Sequence, residues 1–191
     1  MTRLVIFGAP GAGKGTQAAR IAQSVGVPAI STGDIFRDNI KNETALGLQV
    51  KEILASGAYV PDAVTNAIVR DRLDKPDAAD GFLLDGYPRT QAQVTELDEM
   101  LTAGGTSLDA VLELTVEVDE VVQRLLKRAQ LDGRADDTED VIRHRLKVYD
   151  EETAPLAALY RERGLLHQVD GMGEVDAVTQ RLQSVLATLQ S

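Results

Sequence analysis

Short apolar runs alternate along the chain with longer segments whose apolar residues recur at helical spacing. These runs are rich in Val, Ile, Leu and Phe, and they predict five strands, at 4–7, 28–30, 82–84, 110–114 and 165–169. Between the last two strands, apolar side chains share one side of a predicted helix over 118–129. Short apolar strands that alternate with helices are typical of a parallel sheet covered on both faces. The pattern therefore predicts an α/β fold.

The helical pattern is longest over 138–163, where Pro155 should interrupt it because proline removes a backbone donor and clashes one turn back. Two stretches, 31–60 and 128–138, are poor in core-forming apolar residues and break the strand–helix rhythm. They are predicted to be inserts over a site, of the sort that moves. No internal repeat, low-complexity tract or Pro/Ser-rich linker divides the chain into independent domains.

The composition narrows the possible functions. The 191 residues include no cysteine, which excludes disulfides, thiol catalysis and cysteine-ligated zinc. With 20 Lys and Arg against 30 Asp and Glu, the formal charge of −10 argues against duplex DNA as a partner. The first apolar run is too short for a signal peptide or a membrane span. We therefore expect a soluble, cytoplasmic protein with no nucleic-acid or membrane partner.

The charge is unevenly distributed along the chain. Residues 1–33 carry three basic side chains and no acidic one, and residues 123–147 carry seven basic against five acidic side chains. Two positive zones in an acidic background indicate focused capture of a compact anion. On the charge pattern alone, ordinary variation between helix surfaces stays an equally open alternative.

A glycine-rich segment in the first zone is a candidate site for that anion. The first predicted strand leads into Gly8-Ala-Pro-Gly-Ala-Gly-Lys14-Gly15-Thr16 and then a helical run. In this context the glycines let backbone N–H groups turn onto a phosphate, and Lys14 reaches the terminal phosphates. The alternative is a structural turn. Gly15 stands where Ser or Thr usually ligates Mg²⁺, so Thr16 is a candidate to bond a phosphate instead.

Other candidates come from single positions. Asp85 ends a predicted strand, where α/β sheets place ligands, although an aspartate before a glycine also forms turns. Arg145 falls within a broad apolar arc of its predicted helix and Arg143 falls outside it, so Arg145 is expected to need an anionic partner. Arg124 and Arg128 share one helix face. With few acids there, they are predicted to act on one ligand rather than to form a solvated stripe.

Four motifs in this order and spacing resemble those of the adenylate kinase family, in its short-lid form. They are the glycine-rich loop, Ser31-Thr32-Gly33-Asp34 with Arg37, Asp85-Gly86-Tyr87-Pro88-Arg89, and Gly133-Arg134-Ala-Asp136-Asp137. The resemblance covers essentially the whole chain. It implies a P-loop NTPase-type core with a five-stranded parallel sheet, and reversible transfer from ATP to AMP that gives two ADP. By position, 1–30, 61–127 and 139–191 would be the core, 31–60 a small helical AMP-binding insert, and 128–138 a short lid.

The resemblance also assigns residues to roles. Those implied in catalysis are Lys14, Arg89, Arg128, Arg134 and Arg145. Those implied in binding ATP are Gly11, Ala12, Gly13, Lys14, Gly15, Thr16, Arg124, Arg128 and Gly173. Those implied in binding AMP are Thr32, Arg37, Ala58, Tyr59, Val60, Gly86, Tyr87, Pro88, Arg89, Gln93, Arg134 and Arg145. Asp85 would hold Mg²⁺ through water, no zinc is expected, and the protein is expected to be a monomer.

Thr32 and Gln93 bear on the identity of the base. In the family the corresponding threonine and glutamine contact adenine, whereas pyrimidine-preferring relatives carry alanine and asparagine. The resemblance therefore implies AMP, with a UMP/CMP-type nucleoside monophosphate kinase as the alternative. Gln93 also fits a helix capping box that begins at Thr90. A nucleotide-binding switch is an alternative from another class. His144 and His167 fall in no motif and are not expected to act in catalysis.

Overall fold

The computed structural model describes residues 2–132 and 138–189. In these ranges five strands form one parallel sheet in the order β2-β3-β1-β4-β5. The strands are β1 (Thr2–Phe7), β2 (Ala29–Ser31), β3 (Gly81–Asp85), β4 (Ala110–Thr115) and β5 (Leu166–Asp170). Each lies within two residues of its predicted position at both ends. The predicted α/β class and the five-stranded parallel sheet are confirmed.

Helices connect the strands and cover the sheet. In the described ranges they are α1 (Lys14–Val25), α2 (Thr32–Lys41), α3 (Ala45–Ala55), α4 (Asp62–Leu73), α5 (Gln91–Ala103), α6 (Val118–Asp132), α7 (Glu139–Val148), α8 (Ala154–Glu162) and α9 (Val175–Leu189). A 3₁₀ turn at Pro76–Ala78 precedes β3, and a π-helical turn at Tyr149–Thr153 joins α7 to α8. None of the helices in the described part of the chain is long and apolar enough to cross a membrane.

Successive residues of β1 supply both faces of the sheet. Leu4 and Ile6 are buried in a cluster with residues of α1 and α9, and Val5 and Phe7 in a second cluster with residues of α5 and α8. Because side chains alternate along a strand, a strand covered on both faces is apolar throughout. The unbroken apolar runs in the sequence therefore have a direct structural reason.

The long helical pattern is interrupted as predicted, one turn before the proline. Helix α7 ends at Val148, the π-helical turn follows, and Pro155 stands in the first turn of α8. A first-turn residue needs no N–H for an intrahelical bond, so proline is accommodated there. Because Pro155 has no N–H to donate to the turn before it, the α-helical bonding of α7 does not continue into α8, and the π-helical turn lies between them.

The segment 31–60 has a hydrophobic cluster of its own. Phe36, Val50 and Val60 are buried together, and Val64 and Ile68 of α4 pack against them. The expectation that this segment is poor in core-forming residues is therefore wrong. Its apolar side chains are spaced for two short helices that bury one another, and this spacing produces no long apolar run.

The loops after β1 and β3 leave the same edge of the sheet. These strands are parallel neighbours, with Ile6 in register with Asp85. The glycine-rich loop therefore begins beside the end of β3, and β4 flanks β1 on its other side. Open α/β sheets bind ligands in the crevice outside the carboxyl ends of such strands.

Candidate active site

Glycine backbone geometry forms the loop between β1 and α1. Gly11 and Gly13 have φ values of 85° and 94°, which only glycine adopts readily. At Gly11 a Cβ would lie 2.8 Å from Cγ of Leu125 in α6, so the loop also packs closely on that helix. No side chain caps the start of α1. The first N–H groups of this helix are thus available for an anion.

Lys14 contributes a cation at the start of α1. Its Nζ donates to the carbonyl oxygens of Gly8 at 2.7 Å and Ala9 at 3.1 Å. Burial lowers its pKa to about 8, a shift that the nearby Asp85 carboxylate opposes and Arg89 reinforces. A lysine whose charge is disfavoured in this way gains from any anion that enters the loop.

A cavity of about 550 Å³ lies over the glycine-rich loop. Arginines from α2, the loop after β3, α6 and α7 line it together with Lys14 and Asp85. These arginines are Arg37, Arg89, Arg124, Arg128 and Arg145. Gly11, Gly13, Gly15 and Thr16 line the same space. So many guanidinium groups around one loop form a site for several phosphates, since the planar arginine fork grips phosphate oxygens in pairs.

Asp85 lines the same cavity and places a carboxylate next to the glycine-rich loop. It ends β3 and is only 9% exposed. A Cβ at Gly15 would lie 3.7 Å from its Oδ2, so the start of α1 passes close to this carboxylate. No group of three or more potential ligands for a metal occurs within the described ranges. Magnesium needs no such group, because it keeps several waters and binds one or two carboxylates plus phosphates.

A first side pocket adjoins the cavity on the β5 side. Its lining includes Ala12, Gly13, Thr16, Gln17, Glu120, Gln123, Arg124, Lys127, Gly171 and Gly173. Arg124 pairs with Glu120 at 2.7 Å and donates to the carbonyl oxygen of Gly171 at 3.3 Å. Our premise that acids are scarce near Arg124 is therefore wrong, because Glu120 lies one turn away. The pairing fixes the guanidinium between the central cavity and this pocket, both of which Arg124 lines.

A second side pocket adjoins the cavity on the α2 side. Its lining is Thr32, Gly33, Phe36, Leu54, Ala58, Tyr59, Val60, Thr65, Gly86, Arg89 and Gln93. Thr32 is buried, and its Oγ1 donates to the carbonyl oxygen of Gly86 at 2.9 Å. The apolar walls and few polar groups suit a planar base.

Gln93 combines half of the predicted capping box with another network. Its backbone N–H donates to Oγ1 of Thr90 at 3.2 Å, as a capping box requires. The side chain does not return to the backbone of Thr90. Its Oε1 accepts from the N–H of Arg89 at 2.7 Å, and its Nε2 donates to Oδ1 of Asp62 at 2.7 Å.

The two arginines of α7 lie as the helical pattern predicts. Arg143 is exposed and pairs with Glu139 at 2.8 Å. Arg145 lines the central cavity, and its side-chain stem packs against Gly57, where a Cβ would lie 2.7 Å from Cγ of the arginine.

The other predicted residues fall into three groups. Gly86, Tyr87, Pro88 and Arg89 line a small cavity next to the central one, although the Tyr87 ring is buried in the core and its hydroxyl donates to Asn66. His144 and His167 line neither the central cavity nor its side pockets. Arg134 lies outside the described residues.

Sequence reasoning missed a small network around Arg89. The hydroxyl of Tyr59 bonds that of Thr153 at 2.7 Å, and Thr153 donates to the carbonyl oxygen of Arg89 at 2.8 Å. The Arg89 guanidinium lies 5.0 Å from the centre of the Tyr59 ring. No sequence signal links residues so far apart in the chain.

Fold and site together define a P-loop nucleotide-binding protein with a parallel α/β core and two side pockets on one phosphate cavity. Comparison with known families is consistent with this class. A family model described as Adenylate kinase matches residues 6–165. The chain belongs to the adenylate kinase family.

Known adenylate kinases are similar to this chain over nearly their full lengths. An adenylate kinase of Kocuria rhizophila is 61% identical over 186 residues, which cover 97% of this chain and 99% of the relative. One of Nocardioides sp. is 61% identical over 184 residues, 96% of each chain. One of Clavibacter michiganensis subsp. michiganensis is 59% identical over 187 residues, 98% of this chain and 94% of the relative. This chain is therefore a phosphotransferase of the adenylate kinase type, and the UMP/CMP alternative receives no support.

Proposed function

We propose that this protein catalyses the reversible transfer of a phosphoryl group from ATP to AMP, which gives two ADP. The observation that carries the proposal is the cavity where the glycine-rich loop and five arginines meet, with a side pocket on each side. Two nucleotides bound with their bases in the two pockets would have their phosphates facing each other in the cavity.

The ATP side would use the loop and α6. Residues 11–16 hold the triphosphate through backbone N–H groups, and Thr16 bonds a phosphate. Arg124 and Gly173 flank the first side pocket, which suits the adenine. Lys14 exchanges the carbonyl oxygens of Gly8 and Ala9 for phosphate oxygens when the triphosphate arrives, and thus regains a favourable charged state.

The AMP side would use the segment 31–60 and the loop after β3. Arg37 and Arg89 grip the monophosphate, and both line the phosphate cavity. Thr32, Gln93 and the stretch 58–60 hold the adenine in the second side pocket. Gly86, Tyr87 and Pro88 shape the approach of Arg89.

Transfer between two anions requires alignment and charge neutralisation rather than covalent help. Lys14, Arg89, Arg128, Arg134 and Arg145 would neutralise the moving phosphoryl group. The 31–60 insert and the 128–138 lid would close over the 1–30, 61–127 and 139–191 core and exclude water before transfer.

The donor set at the end of β3 suits Mg²⁺. The Asp85 carboxylate is a hard oxygen donor beside the loop, and the phosphates and water would complete an octahedral shell. When bound, Mg²⁺ neutralises charge on the phosphates during transfer. We further propose that the protein acts as a cytoplasmic monomer on ATP, AMP and ADP and that it needs no zinc, nucleic acid or membrane.

A coupled assay that follows ADP production tests the proposal. With ATP, we expect AMP to be preferred over GMP, CMP and UMP, and preference for UMP or CMP would overturn the assignment. Lys14→Met should abolish transfer without unfolding the protein, because the methionine keeps the length but not the charge. Lys147→Met is the matched control, since Lys147 is exposed on α7 and pairs only weakly with Glu151, at 3.8 Å.

A further inference from the structure

Asp62, the first residue of α4, accepts a hydrogen bond from Gln93, which lines the second side pocket. Its Oδ1 accepts from Nε2 of Gln93 at 2.7 Å and from Oγ1 of Thr90 at 3.0 Å. Gln93 is 1% exposed, and its Oε1 accepts from the backbone N–H of Arg89 at 2.7 Å. The amide of Gln93 is thus bonded on both of its ends.

The chemistry of these partners allows the amide only one orientation. A carboxylate accepts hydrogen bonds and a backbone N–H donates them, so Nε2 must face Asp62 and Oε1 must face Arg89. A half-turn of the amide would set oxygen against the carboxylate and N–H against N–H. Inside a buried site, both clashes leave polar groups unpaired at full desolvation cost.

The fixed amide of Gln93 still has hydrogen-bonding groups available for a base. After its bonds to Asp62 and Arg89, Gln93 retains one N–H and one lone pair of Oε1. Adenine offers an acceptor at N1 beside a donor at the 6-amino group, which complements this pair. Hypoxanthine and guanine carry a donor at N1 beside a 6-oxo acceptor, which is the reverse order. The fixed amide can therefore pair with a 6-amino purine, and a rotated amide would pair with a 6-oxo purine.

We propose that Asp62 is a positioning residue that holds the Gln93 amide in one orientation and so makes the monophosphate site select 6-amino over 6-oxo purines. The inference rests on the proposed function, because it assigns the second side pocket to the acceptor base. Asp62 itself does not line that pocket. It acts only through Gln93, with Thr90 as the second donor that keeps its carboxylate in place.

AMP and inosine monophosphate are the matched substrate pair, since their bases differ only at position 6 and the adjacent N1 proton. The measured quantity is the ratio of kcat/KM for AMP to kcat/KM for IMP. In Asp62→Ala one of the two bonds that oppose amide rotation is lost, and we expect the ratio to fall at least tenfold. Part of this fall should come from a higher kcat/KM for IMP. The KM for ATP should stay within twofold of the parent value.

Three variants separate this role from a structural one. Asp62→Asn keeps an Oδ1 acceptor for both bonds, so its ratio should stay within threefold of the parent. Asp62→Ser is too short to reach Gln93 but keeps a polar side chain in the first turn of α4. It should also lower the ratio at least tenfold, so it tests the inference even if Asp62→Ala does not fold. Glu96→Gln removes another carboxylate that joins α4 to α5, through Arg70, without touching Gln93, and should leave the ratio unchanged.

Two results would overturn the inference. One is an unchanged ratio in both Asp62→Ala and Asp62→Ser, with activity on both monophosphates reduced alike. The other is a loss in Asp62→Asn as large as in Asp62→Ala, because charge and not the acceptor atom would then be responsible. If the parent chain does not phosphorylate AMP at all, the proposed function fails, which is a distinct outcome from a failure of this inference.

Discussion

Gly57 tests whether the placement of Arg145 matters for transfer. It follows α3 with φ of 79°, and a Cβ there would lie 2.7 Å from Cγ of Arg145 and 2.9 Å from Cγ1 of Val141. Ordinary van der Waals contact begins at 3.4 Å, so in Gly57→Ala the arginine stem must retreat by about 0.7 Å. The substitution therefore displaces a proposed catalytic cation without altering any polar group.

Two costs add in this variant. An alanine in the left-handed region costs about 1–2 kcal/mol, and overpacking against α7 adds about 1–3 kcal/mol. We expect the free energy of unfolding to fall by about 2–5 kcal/mol in total. Misplacement of a catalytic group by about 1 Å can cost about 100-fold in rate, so we expect kcat to fall between about tenfold and 100-fold.

Gly164→Ala is the matched control. Gly164 occupies the same position after α8, with φ of 72°, and a Cβ there meets no atom within 4 Å. It should lose about 1–2 kcal/mol of stability from backbone strain alone and keep its kcat. Urea unfolding gives the free energies, and initial rates at saturating ATP and AMP give kcat. Equal kcat in the two variants would refute the role we assign to Arg145.

Two further predictions concern buried polar groups. Because burial lowers the pKa of Lys14 to about 8 and a bound phosphate favours its charged form, ATP binding should take up almost no proton at pH 7 and more than about half a proton at pH 8.5. Calorimetry in buffers of different ionisation enthalpy measures this, and the same buffer dependence at both pH values would contradict it. The Tyr160 hydroxyl is buried with no hydrogen-bond partner in the described part of the chain. Tyr160→Phe should therefore raise the free energy of unfolding by up to about 1 kcal/mol without changing kcat. A lower free energy of unfolding, measured with urea, would refute this.

Local patterns in the sequence predict much of the fold and part of the site. The apolar runs place all five strands because a sheet covered on both faces requires them. The glycine-rich loop is recognisable because its chemistry is local, and the helical wheel separates Arg145 from Arg143 because both lie on one helix. In each case the interacting residues are close in the chain.

The features that the sequence does not predict depend on tertiary packing. Asp62 and Gln93 meet only because α4 packs beside α5, so neither residue alone indicates the bond. The cluster of Phe36, Val50 and Val60 forms only where α2 and α3 pack on each other and on α4, and no single helix pattern indicates that packing. The pairing of Arg124 with Glu120 is an exception, because their one-turn spacing on α6 is enough to predict it.

In the proposed reaction, two nucleotides meet with their phosphates in one cavity. Two adenosines joined by five phosphates would span both side pockets, so titration calorimetry with this compound tests whether the two nucleotide sites share that cavity. We expect one molecule to bind per chain and to be displaced by ATP and by AMP separately. Two molecules bound per chain, or binding that AMP does not weaken, would contradict it.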